Sequence, residues 1–212
     1  SLNATAKSAN ETAVAIMTSD KTAKEVAVEF ILGGKTVRIG GMTKGAGMIE
    51  PGMSPNGQRP ASISLHATML CFITTDAAIA PRALKTSLTE AVAQSFNRIT
   101  VDGDMSTNDS VIALANGLAG NRKFSGTRSA DAQTFQAALN HVCLELAKMM
   151  VKDGEGASRF ITIRLSGAKS AKDADTAART VANSQLVRTS WGGGDPNWGR
   201  ILAAVGRAGV EN

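Results

Sequence analysis

Tyrosine is absent from this 212-residue chain, and tryptophan, histidine and cysteine occur twice each. Two cysteines, Cys71 and Cys143, are too few for a disulfide framework or a four-thiolate zinc site. Both lie in apolar runs, as buried thiols do. Two histidines, His66 and His141, leave no His-rich metal cluster and little room for a Ser-His-Asp arrangement, and no G-x-S-x-G elbow is present. Aromatic residues make up 4% of the chain, and its +5 net charge divides as +2 over residues 1–67 (7 basic, 5 acidic) and +3 over residues 68–212 (16 basic, 13 acidic). Without a basic stripe or interleaved stacking rings, nucleic-acid binding is not expected. No run of 18 apolar residues suggests a transmembrane helix, and the first residues lack the basic start and apolar core of a secretory signal.

What is present is a globular composition, with 43% hydrophobic and 19% charged residues. Thr12–Thr18 reads as a short strand, and Val26–Leu32 and Thr36–Ile39 flank Gly33-Gly34-Lys35 as a hairpin. Residues 44–65 are rich in Gly and Pro and read as loop, and Thr68–Thr74 reads as a strand. Pro81 opens a helix with Leu84, Leu88, Val92 and Phe96 on one stripe. Ile99–Val101 reads as a short strand and Val111–Leu118 as a helix. Ser129 caps a helix whose core stripe is Phe135, Leu139, Val142, Leu146 and Met149. Phe160–Leu165 alternates as a half-buried strand, Ala171–Leu186 reads as a helix, and Asp195-Pro196 as a cap and first turn. Mixed strands and helices predict an α/β or α+β class.

Most motifs with chemical potential are incomplete. The run Asp102–Asp109 begins like a calcium loop but has Thr107 at position six and Ala113 at position twelve. A turn whose carboxylates accept backbone N–H bonds is the better reading. No metal site is expected. The pair Ala67-Thr68 allows a different chemistry. A threonine hydroxyl is a poor nucleophile unless a base takes its proton, and cutting the bond before it creates an α-amine that is such a base. On spacing alone, Thr68 reads as an ordinary strand start.

Six segments in order carry a resemblance: AIMTSD at Ala15–Asp20, KGAGMIEP at Lys44–Pro51, HATMLCFITTDA at His66–Ala77, VDGDMSTND at Val101–Asp109, KDGEGA at Lys152–Ala157 and DPNWGRILAAVGRAG at Asp195–Gly209. Together they resemble the ornithine acetyltransferase (glutamate N-acetyltransferase) family of arginine biosynthesis. The resemblance implies self-cleavage at Ala67-Thr68, which makes 1–67 part of an α piece and 68–212 part of a β piece. It implies ping-pong transfer of acetyl from N2-acetyl-L-ornithine to L-glutamate through an acetyl-threonine on Thr68. No metal or organic cofactor is implied, although acetyl-CoA is a donor for some members. Thr18, Lys44 and Glu155 match substrate-contacting positions: the Lys44 ammonium suits an α-carboxylate and the Glu155 carboxylate an ornithine ammonium. The implied fold is a stacked-sheet α/β sandwich, incomplete at both ends here, layered like the N-terminal-nucleophile hydrolases. The implied assembly is a heterotetramer of two α and two β pieces. The implied location is cytoplasmic, or mitochondrial in a fungus.

The sequence departs from that pattern in three places. Lys44 and Thr68 are 24 residues apart, wider than in the family, with an insert at about 52–65 beside His66. A Ser-Thr-Gly-Val-Ile-Gly-like segment that supplies the family's oxyanion donors is not in this sequence, and the family continues past the segment at Asp195–Gly209. These departures favour little acetyl transfer by residues 1–212 alone. Two other readings stay open: an amidohydrolase or aminopeptidase of related fold, with water as acceptor, and an unprocessed binding module.

Overall fold

The computed structural model describes residues 5–53 and 68–210. Ala67, His66 and residues 54–65 of the expected insert lie outside them. The chain divides into two compact units between Glu155 and Gly156.

The first unit is built on a four-stranded sheet in the order β1-β2-β3-β4. Strands β1 (Lys24–Leu32) and β2 (Lys35–Lys44) form the expected hairpin. Its turn places Gly33 and Gly34 at φ 53° and 77°, the left-handed region where a Cβ is disfavoured. β3 (Leu70–Thr75) pairs antiparallel with β2, and β4 (Ser110–Ala115) pairs parallel with β3. A parallel pair needs a crossover, and α2 (Pro81–Ala93) lies within that connection. The long helix α3 (Ala130–Lys152) packs across β1 and β2, and α2 packs against α3 and β4. Between helices and sheet lie Val37, Ile39, Cys71, Ile73, Phe135, Leu139, Val142 and Leu146, all buried. The stripe expected for α3 is thus its core face, and Ser129 caps it by accepting the Ala132 N–H at 3.2 Å.

Several sequence expectations fail, each for a local reason. Thr12–Thr18 is not a strand. Helix α1 (Ala6–Ala15) begins earlier, where the Thr5 hydroxyl accepts the Ser8 N–H at 3.2 Å, and it buries Ala13. Val111–Leu118 is not a helix. Its first half is β4, because pairing with β3 satisfies its backbone, and Gly117 at φ 75° lies just beyond the strand. Ile99–Val101 forms no strand, although the Val101 N–H reaches the Ile49 carbonyl at 2.7 Å.

The second unit contains α4 (Ala171–Ala182), α5 (Gln185–Gly192) and α6 (Trp198–Gly206) around Val181, Val187 and Ala204. The expected single helix 171–186 is broken after Ala182. α6 is capped by Asn197, which accepts the Arg200 N–H at 3.1 Å, rather than by Asp195. Phe160–Leu165 forms no strand: among its described residues the second unit has no strand to complete a ladder, and Ile163 instead packs on this small core. No helix among the described residues is long and apolar enough to cross a membrane.

The rings of Phe30 and Phe124 lie 6.4 and 5.7 Å from that of the fully buried Phe135. We predict that Phe135→Ala lowers unfolding free energy by about 3–5 kcal/mol. Urea unfolding checks this; a loss under about 1 kcal/mol would show that the sheet and α3 are not held together at this point.

Candidate active site

The register of the sheet assembles the site. Lys44 ends β2 opposite Leu70, and Leu70 pairs with Ser110 at the start of β4. Residues just before β3 and β4 therefore gather beside the end of β2. Thr68 precedes β3 and Asp109 precedes β4.

Beyond Lys44 the chain turns through Gly45, Ala46, Gly47 and Met48. A Cβ on Gly45 would sit 3.0 Å from the Thr68 carbonyl oxygen, so the turn passes directly against the threonine. A Cβ on Gly47 would sit 2.8 Å from the Glu155 carboxylate, which occupies the space a side chain would need. The Glu155 N–H donates to the Ala46 carbonyl at 2.8 Å. The Lys44 ammonium reaches the Thr18 hydroxyl at 3.5 Å. Thr68, Thr18, Lys44 and Glu155, four residues from four separate sequence segments, thus border one turn. Ala67 lies outside the described residues.

Met48 has φ 54°, the left-handed region that a non-glycine residue adopts at a cost of order 1 kcal/mol. Asp102 holds it there, accepting the Met48 N–H at 2.6 Å and the Ile49 N–H at 3.0 Å. The Met48 sulfur in turn accepts the Thr68 hydroxyl at 3.6 Å. At the other end of the same loop, Asp109 accepts the Met69 N–H at 3.1 Å. The loop 102–109 is thus the expected turn of carboxylates on backbone N–H groups. Among the described residues, no cluster of His, Cys, Asp and Glu is arranged to hold a metal ion.

The deepest feature was not apparent from sequence. The Lys24 ammonium is fully buried between Asp20 and Asp153, at 2.5 Å from each. Asp20 also accepts the Gly45 N–H at 2.7 Å and the Thr18 N–H at 3.1 Å. Asp153 accepts the Lys21 and Thr22 N–H groups at 3.0 and 3.4 Å. Thr18, Gly45 and Glu155, two residues past Asp153, are all tied to this one cation. Burial pushes both carboxyls up, but the Lys24 ammonium and the backbone N–H donors outweigh it and hold them below the usual carboxylate range. A signal existed: AIMTSD and KDGEGA each carry one of the acids, and Lys24 opens a strand whose alternation would send it inward.

Comparisons with known proteins agree with this arrangement of motifs. The model of the ArgJ family matches residues 1–212. The glutamate N-acetyltransferase of Methanocaldococcus jannaschii is 53% identical over 200 residues, covering 94% of this chain and 46% of the relative. The arginine biosynthesis bifunctional protein ArgJ of Desulfotalea psychrophila is 52% identical over 199 residues, covering 93% of this chain and 47% of the relative. The chain spans about half the length of the curated relatives it matches. The crystal structure of the arginine biosynthesis bifunctional protein ArgJ of Bacillus halodurans superposes with a TM-score of 0.62 at 42% identity, covering 65% of this chain and 64% of that one.

We predict that Lys24→Met, which strands two buried carboxylates, lowers unfolding free energy by about 3–5 kcal/mol. Because both acids are held below their ordinary value near about 4, the stability they contribute is present above that pH. It is lost as pH falls through their folded values. Urea titrations at pH 7 and pH 3 test both points: the Lys24→Met loss appears at pH 7 and narrows at pH 3, and an equal loss at both would refute the assignment.

Proposed function

This chain belongs to the ArgJ family, and we propose that its protein is a glutamate N-acetyltransferase of arginine biosynthesis whose nucleophile is Thr68. Scission of the Ala67–Thr68 peptide bond consumes one water, leaving a carboxylate on Ala67 and an amine on Thr68. That amine takes the Oγ1 proton as the hydroxyl attacks the acetyl carbonyl of N2-acetyl-L-ornithine. The tetrahedral intermediate collapses to acetyl-Thr68, and ornithine leaves with a proton on its α-nitrogen. The α-amine of L-glutamate then attacks the ester, and Thr68 regains its proton as N-acetyl-L-glutamate departs. No metal or organic cofactor enters this sequence of steps.

The observation that carries this reading is the convergence of Thr68, Thr18, Lys44 and Glu155 on the turn at Gly45–Met48. Lys44 and Glu155 place opposite charges on one turn. The ammonium suits the substrate α-carboxylate, and the carboxylate suits the side-chain ammonium of the ornithine unit. Thr18 orients Lys44 through the bond already described.

The sheet also accounts for how a cut chain would stay whole. β2 lies before the junction and β3 after it, and they pair from Ile39↔Thr75 to Lys44↔Leu70. α3, also after the junction, packs on β1 and β2. An α piece ending at Ala67 and a β piece beginning at Thr68 therefore share one sheet and one core, the unit from which we build a heterotetramer of two such pairs. On the sheet face turned away from α3, Ile112 and Leu114 are 44% and 64% exposed. An apolar face of this kind supports a second layer above it, as in a stacked-sheet sandwich.

At full natural length, Thr68→Ala is expected to migrate as a single uncut band and to transfer no acetyl from N-acetylornithine. Cleavage or turnover in that variant would overturn the assignment of the nucleophile, and ornithine release independent of glutamate would make water the acceptor. Gly47→Ala tests the placement of Glu155. The added methyl displaces a flexible carboxylate rather than backbone, so thermal stability should hold while KM for N-acetylornithine rises about tenfold. An unchanged KM would remove Glu155 from the substrate site.

A further inference from the structure

Asp109 has no part in the chemistry above, yet its surroundings are unusual. One carboxylate oxygen accepts the Met69 N–H at 3.1 Å, and the other is buried with no hydrogen-bond partner among the described residues. The neighbouring Ser110 N–H donates to the Met69 carbonyl at 3.1 Å. The peptide groups on both sides of Met69 are thus gripped by two consecutive residues at the mouth of β4, and the residue before Met69 is Thr68. Consecutive backbone nitrogens lie at most about 3.7 Å apart. The bonded oxygen of Asp109 therefore lies within about 7 Å of the Thr68 nitrogen, since its contact to Met69 is 3.1 Å. Lys44 is the charged group that acts on Asp109 across the row.

We propose that Asp109 is a positioning residue for Thr68: acting through the Met69 N–H, its ionised carboxylate fixes the threonine at the entrance of β3 and balances the Lys44 charge beside it. The proposal rests on Thr68 being the nucleophile. A carboxylate accepts an N–H more strongly when ionised, so loss of its charge loosens the grip on the residue that must present a hydroxyl to a carbonyl. The same charge opposes that of Lys44, which acts on Asp109 electrostatically. Burial pushes the Asp109 carboxyl up to about 6, against the Met69 N–H, Ser106 and the Lys44 charge. Its ionisation is therefore complete above that pH and lost as pH falls through it.

The test uses the protein at full natural length, with Asp109→Ala, Asp109→Asn and the Thr68→Ala control. Asp109→Ala is expected to lower kcat for acetyl transfer by about tenfold or more, with KM for N-acetylornithine within about threefold. Asp109→Asn keeps an acceptor on Met69 but carries no charge, so its kcat at pH 8 should drop to about the level that wild type reaches below about pH 6. The wild-type fall in kcat through about pH 6 should be absent from Asp109→Asn. Wild-type kcat in a folded Asp109→Ala protein overturns the proposal, and so does an unaltered ionisation near pH 6 in Asp109→Asn. If Asp109→Ala does not fold, the pH profile of Asp109→Asn decides alone. Activity surviving in Thr68→Ala removes the nucleophile and the proposal with it, whereas an inactive Thr68→Ala beside a wild-type-like Asp109→Ala removes only the role of Asp109.

Discussion

A single ammonium holds the site segments in place. Lys24 is buried, and an isolated charge at that depth would be prohibitively unstable. It is tolerated because Asp20 and Asp153 lie on either side, and because each acid also has backbone N–H donors to satisfy its remaining lone pairs. The net gain in stability over an apolar replacement of the whole triad is small by that reasoning. The gain in registry is larger. The segment around Thr18, the turn after β2 and the chain leading to Glu155 are distant in sequence, and none has a core of its own. Bonding them to one cation fixes their mutual positions more tightly than apolar contact would, since charge-assisted bonds are directional.

The same device recurs along the other wall of the turn. Asp102 takes two N–H groups from Met48 and Ile49, and Asp109 takes one from Met69. Elsewhere in the first unit, Asp76 accepts the Arg38 N–H at 2.7 Å and Asn121 the Ala78 N–H at 2.8 Å. Connections outside the sheet ladder must satisfy their backbone groups somehow, and here side-chain oxygens do so repeatedly. Rigid loops follow, which is what a turn carrying a left-handed Met48 requires. Two acids of VDGDMSTND, Asp102 and Asp109, are thus engaged by backbone amides.

Where periodicity and turn chemistry agree, the sequence was readable. The Gly33-Gly34 hairpin, the Pro81 helix and the Ser129-capped α3 all combine a local signal with a matching core face. The misread elements are those in which a partner decides. β4 has a composition compatible with helix, and only its pairing with β3 makes it a strand. The alternating Phe160–Leu165 has the reverse problem, a strand pattern with no strand in its own unit among the described residues. In the site, ordered motifs brought Thr18, Lys44, Thr68 and Glu155 into view. Lys24 stayed hidden because a lysine at a strand start is by default a solvated charge, and its burial depends on acids 4 residues before it and 129 residues after it.

Sheet register brings the candidate site residues together at one end of the sheet. Lys44, Leu70 and Ser110 form one row across β2, β3 and β4. β3 and β4 run parallel, so both begin at the same edge, and the residues preceding them emerge side by side, next to the point where β2 ends. A slip of one residue between β2 and β3 would turn the buried faces of Cys71 and Ile73 outward, which the core against α3 forbids. The apolar pattern of the strands thus sets the neighbourhood of Thr68 and Lys44 before any polar contact forms. The buried ion triad and the two loop carboxylates then narrow that neighbourhood to a fixed geometry. Apolar burial chooses the register and charge-assisted bonds set the final positions, so substitutions in the apolar core or at the buried Lys24 should unfold the site, while those at the loop carboxylates should detune it.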